Sequence, residues 1–214
     1  MNVSRKLKLI WWAPARNATR ALSEILCHYE FYNYEIGVNA DLRTTFHSHT
    51  CKIPLGLEDY DVFLQVRNPY SRLVSSWHLD CYTTKNGEDL HITKPFEEYV
   101  ENIYKIANLH YEECLKIKIP TYIIRYEFLK EDTLALPFID LSNTNVKTPW
   151  DRFIVNNGYT GEGPNNETGF LKRSKNANYA DWQSYYSQHT ADIVYKNYTE
   201  QFKFFNYEKD SWKK

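Results

Sequence analysis

Glycine is scarce in this chain, seven in 214 residues, and none falls in "APARNATRAL" (Ala13 to Leu22), which joins the first apolar stretch to the first amphipathic one. A Walker A loop reads G-x-x-x-x-G-K-[ST] because glycines let backbone N–H groups wrap a phosphate. Ordinary ATP or GTP hydrolysis therefore has little support. Cysteine is also sparse: Cys27, Cys51, Cys81 and Cys114 are widely spaced with no C-x-x-C. That spacing fits neither a zinc knuckle nor a disulfide framework and predicts buried free thiols. No apolar run is long enough to cross a bilayer, and "LKLIWW" is too short for a signal-peptide core. The expectation is a soluble cytoplasmic protein without a membrane anchor, of bacterial or viral type. Cations are not in excess, with 26 Lys and Arg against 27 Asp and Glu. That balance argues against a nucleic-acid partner, since binding a polyanion needs clustered cations, although local basic pockets remain open.

What is present is enough apolar content, 43%, for a real core in one domain over residues 1–214, with no repeat, linker or low-complexity tract. "KLKLIWW" reads as a strand, and from Thr19 onward Leu22, Ile25, Leu26 and Tyr29 take the spacing of one helical face. "DVFLQV" (Asp61 to Val66) reads as a strand buried on both faces. Leu73, Val74 and Trp77 follow it at helical spacing. "TYIIRY" (Thr121 to Tyr126) is a third strand, after a helical stretch between Pro95 and Pro120. Alternating strands and helices predict an α/β fold with a central parallel sheet flanked by helices. A last helix is expected from about Ser187 to Phe204, and "GYTGEGPNNETG" (Gly158 to Gly169) as a loop.

In such sheets anions gather at the carboxyl ends of strands, against the following helix N-terminus. Two stretches lie there. "RNATRAL" (Arg16 to Leu22) resembles the 5'-phosphosulfate loop K-[TS]-G-[TS]-[TS]-x-L of sulfotransferases that use 3'-phosphoadenosine 5'-phosphosulfate (PAPS). It departs from that loop at Arg16 for lysine, Ala18 for glycine and Arg20 for a hydroxyl residue. "VRNPYSRLVS" (Val66 to Ser75) is similar to the same family's 3'-phosphate motif V-R-[ND]-P-x-x-R-L-x-S at almost every position. The chemistry suits this pairing, because a guanidinium grips phosphate by two N–H groups and a hydroxyl on a rigid element adds a third donor. From the residues alone, Arg16 and Arg20 also read as solvated charges at a helix start, and Arg72 as a structural ion pair or a third contact.

The resemblance to the Golgi and bacterial type of this family implies a P-loop-NTPase-like sulfotransferase fold. It implies PAPS as sulfuryl donor with no metal, and a hydroxyl-bearing acceptor, carbohydrate being one class. Arg16 and the backbone of Asn17, Ala18, Thr19, Arg20 and Ala21 correspond to the phosphosulfate cradle, and Arg16 is also placed to stabilise the leaving phosphate. Arg67 and Ser75 correspond to the 3'-phosphate ligands, and Lys172 and Arg173 to a basic loop closing over the nucleotide. A general base is needed to take the acceptor's proton, and the family often carries a histidine shortly before the "RNP" strand. His49 is favoured here, with His47 as alternate; H-x-H also suits a metal, with only Cys51 and Asp41 near in sequence. Trp182 and Tyr185 read as core or platform aromatics. Two other functions are compatible with the chain: a P-loop-type phosphotransferase, and a catalytically silent nucleotide-binding module.

Overall fold

The computed structural model describes residues 2–14, 17, 19, 22, 26, 29–33, 53–85, 89–92, 94–102, 110–140 and 179–213. The strands are β1 (Asn2–Ser4), β2 (Leu9–Trp12), β3 (Tyr32–Asn33), β4 (Asp61–Val66), β5 (Tyr82–Lys85), β6 (Asp89–Ile92) and β7 (Tyr122–Arg125). The helices are α1 (Pro69–Cys81), α2 (Phe96–Glu101), α3 (His110–Ile117), α4 (Leu129–Leu134) and α5 (Gln188–Phe204). Short 3-10 helices occupy Tyr126–Phe128 and Tyr179–Tyr185. Within the chain two compact units are distinguished, Met1–Asn68 with Asn108–Pro149 and Pro69–Ala107 with Trp150–Lys214.

The first unit is built on a five-stranded sheet in the order β3-β1-β2-β4-β7. Its three central and edge strands β2, β4 and β7 run parallel, as their sequences predict: Trp12 pairs with Leu64, and Val66 with Arg125. The fully parallel sheet needs correction, because β1 and β3 join antiparallel. Residues 5–8 turn the chain back on itself within the stretch read as one strand, and Lys8 adopts φ 51° to close that turn. A side-chain-bearing residue is strained there, but the backbone is put to use: Lys8 O accepts the Asp61 N–H at 3.0 Å and so sets the start of β4.

β4 is apolar on both faces because both are covered. Val62, Phe63, Leu64 and Val66 are fully buried, and Trp11 stacks on Phe63 at 5.8 Å with 9° between the rings. Burial of each such side chain contributes about 1.5–3 kcal/mol. Thr19, Leu22 and Leu26 are helical, and Leu22 and Leu26 are fully buried, in keeping with the amphipathic spacing. Cys114, on α3, is buried and disulfide-bonded. This overturns the expectation of free thiols for that residue.

The second unit packs α1, α2, α5 and the 3-10 helix at Tyr179–Tyr185, together with the antiparallel β5–β6 hairpin. α1 begins with Pro69, whose fixed φ and missing N–H suit a first helical turn. Tyr70 meets Tyr186 at 5.0 Å and Phe202 at 4.9 Å, and Trp77 meets Phe96 and Tyr185 at 5.4 and 5.2 Å. Tyr185 is thus a packing residue, as expected. α5 starts with a reciprocal cap: the Ser187 hydroxyl accepts the Thr190 N–H, and the Thr190 hydroxyl accepts the Ser187 N–H. The Tyr70 hydroxyl donates to Lys209 O at 2.8 Å, and the Tyr186 hydroxyl donates to Tyr70 O at 2.8 Å. Burial raises both phenols above their ordinary range; for Tyr70 the charges of Asp192 and Asp210 add to the effect. No helix among the described residues is long and apolar enough to cross a membrane.

Candidate functional site

The carboxyl ends of β2, β4 and β7 lie along one edge of the parallel part of the sheet, since Trp12 is in register with Leu64 and Val66 with Arg125. The turn after β2 is tied to that edge by Asn17. Its fully buried side chain donates from Nδ2 to Pro14 O at 3.0 Å and to Gln65 O at 3.1 Å. The predicted phosphosulfate turn and the strand leading into Arg67 are therefore joined by one amide. Asn17 commits its only side-chain donor, Nδ2, to these two carbonyls. Thr19 is helical and half-buried.

Arg67 follows β4 directly and is only 7% exposed. Its guanidinium carbon lies 4.1 Å from the centre of the Tyr126 ring, within cation–π range. The next backbone N–H, of Asn68, is accepted by Glu127 Oε1 at 2.9 Å, so a carboxylate already holds that donor. Arg125 is anchored beside them: Asp132 accepts its N–H at 2.8 Å, its Nε at 2.9 Å and its Nη2 at 2.7 Å. Among donors of this kind a buried guanidinium fits a phosphate dianion best, being planar, permanently charged and multiply donating.

One residue of the strand is less easily explained. The Gln65 side chain is fully buried, and neither its Nε2 nor its Oε1 has a hydrogen-bond partner among the described residues. Each orphaned group costs about 1–3 kcal/mol.

Ser75 lies on α1 in the second unit and is 3% exposed. The same helix buries Ser71, Arg72 and His78. His78 packs between Trp77 and Tyr185, at 4.7 and 5.5 Å between ring centres. The second unit also holds a cluster that sequence spacing does not announce. Glu97, Glu101 and His189, all exposed, bring potential metal-ligating atoms within 4.8 Å of one another. Glu97 and Glu101 are one helical turn apart on α2, but His189 lies 88 positions further on. His189 Nε2 is 3.8 Å from Glu101 Oε1, an ion pair when the imidazole is protonated.

Arg16, Ala18, Arg20, Ala21, His47, His49, Lys172 and Arg173 lie outside the described residues. Two residues of the site were not singled out by sequence. Tyr126 and Glu127 sit in "YIIRYEFLKED", and the parallel register is the signal that brings them to Arg67 and Asn68. No protein-family model matches the chain, and no curated protein or solved structure matches it.

Proposed function

We propose that the chain is a PAPS-dependent sulfotransferase with a P-loop-NTPase-like fold, acting on a hydroxyl-bearing acceptor. What supports this reading most is Arg67. A nearly buried guanidinium leaves the carboxyl end of a parallel strand, inside a stretch that matches the 3'-phosphate motif, two residues beyond the carbonyl that Asn17 holds.

PAPS supplies the activated sulfuryl group. In this reading Arg67 and Ser75 hold its 3'-phosphate. Arg16 and the backbone of Asn17, Ala18, Thr19, Arg20 and Ala21 hold the 5'-phosphosulfate, and Arg16 offsets charge that builds on the leaving phosphate oxygen. Lys172 and Arg173 close over the nucleotide. His49, or His47, accepts the proton of the acceptor hydroxyl. The disulfide at Cys114 favours an oxidising compartment over the cytoplasmic one, because cytosolic thiols are kept reduced.

The test is equilibrium binding of 3'-phosphoadenosine 5'-phosphate against ATP, followed by transfer of labelled sulfuryl from PAPS to a panel of alcohols, phenols and sugars. Preference for the 3'-phosphorylated nucleotide and label in an acceptor support the enzyme. Tight binding without transfer to any acceptor supports a silent nucleotide-binding module, and preference for ATP supports a phosphotransferase.

A further inference from the structure

We propose that Tyr126 and Glu127 are positioning residues that preset Arg67 for a phosphate: the ring as a shelf under the guanidinium, the carboxylate as a pin on the turn behind it. The inference rests on the reading of Arg67 as a 3'-phosphate ligand and adds to it a cause for the affinity.

The argument starts from register. Val66 pairs with Arg125 in a parallel ladder, so continuing both strands by one residue sets 67 beside 126, and by two sets 68 beside 127. Both pairs make contact. The Arg67 guanidinium lies 4.1 Å from the Tyr126 ring centre, and the Asn68 N–H is 2.9 Å from Glu127 Oε1. The direction of Tyr126 is itself fixed, because Arg125 is held at three points by Asp132 and the chain passes into the 3-10 helix Tyr126–Phe128.

An arginine side chain loses considerable rotamer freedom when it binds, and one already stacked has lost much of that freedom beforehand. Stacking uses the face of the guanidinium, whereas an oxyanion is gripped by its edge, so the two roles do not compete. Glu127 acts on the backbone. Its exposed carboxylate accepts from the residue just after Arg67 and fixes the angle at which that side chain leaves the strand.

The experiment measures binding of 3'-phosphoadenosine 5'-phosphate and of adenosine 5'-monophosphate, which lacks the 3'-phosphate, to the wild type and to Tyr126→Leu, Tyr126→Phe and Glu127→Ala. Thermal unfolding of each variant serves as the check on folding. The wild type is expected to prefer the 3'-phosphorylated ligand. Tyr126→Leu should weaken that ligand roughly five- to tenfold, within the range of a cation–π contact, and the monophosphate less than twofold. Tyr126→Phe, which keeps the ring, should stay within about twofold for both. Glu127→Ala should weaken only the 3'-phosphorylated ligand, by roughly threefold, near the low end of a hydrogen bond's net value. Because Glu127 is exposed, this variant carries the comparison if Tyr126→Leu does not fold. Equal losses for both ligands, or none for either, overturn the inference while leaving the role of Arg67 standing. A wild type with no preference for the 3'-phosphate overturns that role and the inference together.

Discussion

Replacing Asn17 by alanine removes two hydrogen bonds at once, to Pro14 O at 3.0 Å and to Gln65 O at 3.1 Å, in a fully buried setting. A net contribution near 1 kcal/mol for each bond, with a further cost for carbonyls left less satisfied, gives a loss of about 2–3 kcal/mol. For a chain of this size that lowers the melting temperature by about 4–12 °C. The orientation of the amide is fixed by its acceptors, since a flip would turn Oδ1 toward two carbonyl oxygens. Asn17→Asp is therefore the sharper variant. A carboxylate cannot donate to either carbonyl, and its protonated form can serve only one, so the loss should exceed that of alanine despite the matching shape. Urea unfolding of the wild type and both variants measures this. A cost below about 0.5 kcal/mol for Asn17→Ala would refute the view that this amide joins the turn to the strand, as would aspartate proving milder than alanine.

Arg67→Ala should weaken 3'-phosphorylated nucleotide by roughly ten- to hundredfold, the value of a charged hydrogen-bonded contact, and Arg67→Lys should recover little of it because the planar fork is lost; titration calorimetry reads both. His49→Ala should lower turnover and leave nucleotide binding nearly intact; equal loss of both counts against its role as base. Reduction of the Cys114 disulfide should destabilise the protein by about 2–4 kcal/mol, seen as a lower melting temperature with reductant and, by alkylation without it, as two fewer free thiols than after reduction. Tyr70 and Tyr186 have folded-state pKa values raised above the usual value, so their contribution is intact below the unfolded pKa, near pH 10, and is lost as pH rises beyond it, where the unfolded chain ionises first. Tyr186→Phe should soften that alkaline loss while costing about 1 kcal/mol at neutral pH through its bond to Tyr70 O, as followed by unfolding at several pH values.

The three parallel strands were legible because each carries a short apolar run, as strands of a covered sheet do: Leu9–Trp12 throughout, residues 62–64 within β4 and 122–124 within β7. α1 and α5 were legible from spacing, and α5 almost to the residue because Ser187 caps it. The β1–β2 turn was not, since Asn2–Ser4 is too short to carry a period and the reversal rests on Lys8 taking a backbone conformation that lysine rarely adopts. The β5–β6 hairpin was also missed, though Asn86-Gly87 between its strands is a recognised turn signal.

At the candidate site the chain alone determined which residue types stand after each strand: Arg67 after β4, and Asn17 in the turn after β2. That information is local, written in spacing and in the strand-turn-helix pattern. Only the tertiary structure decided that Asn17 reaches Gln65, that Tyr126 lies under Arg67, and that Glu127 takes the Asn68 N–H. Those contacts join residues 48 and 59 positions apart in two of the cases. They depend on which strands are neighbours and in what register, and such a choice is made by the burial of the whole sheet rather than by any single stretch of sequence.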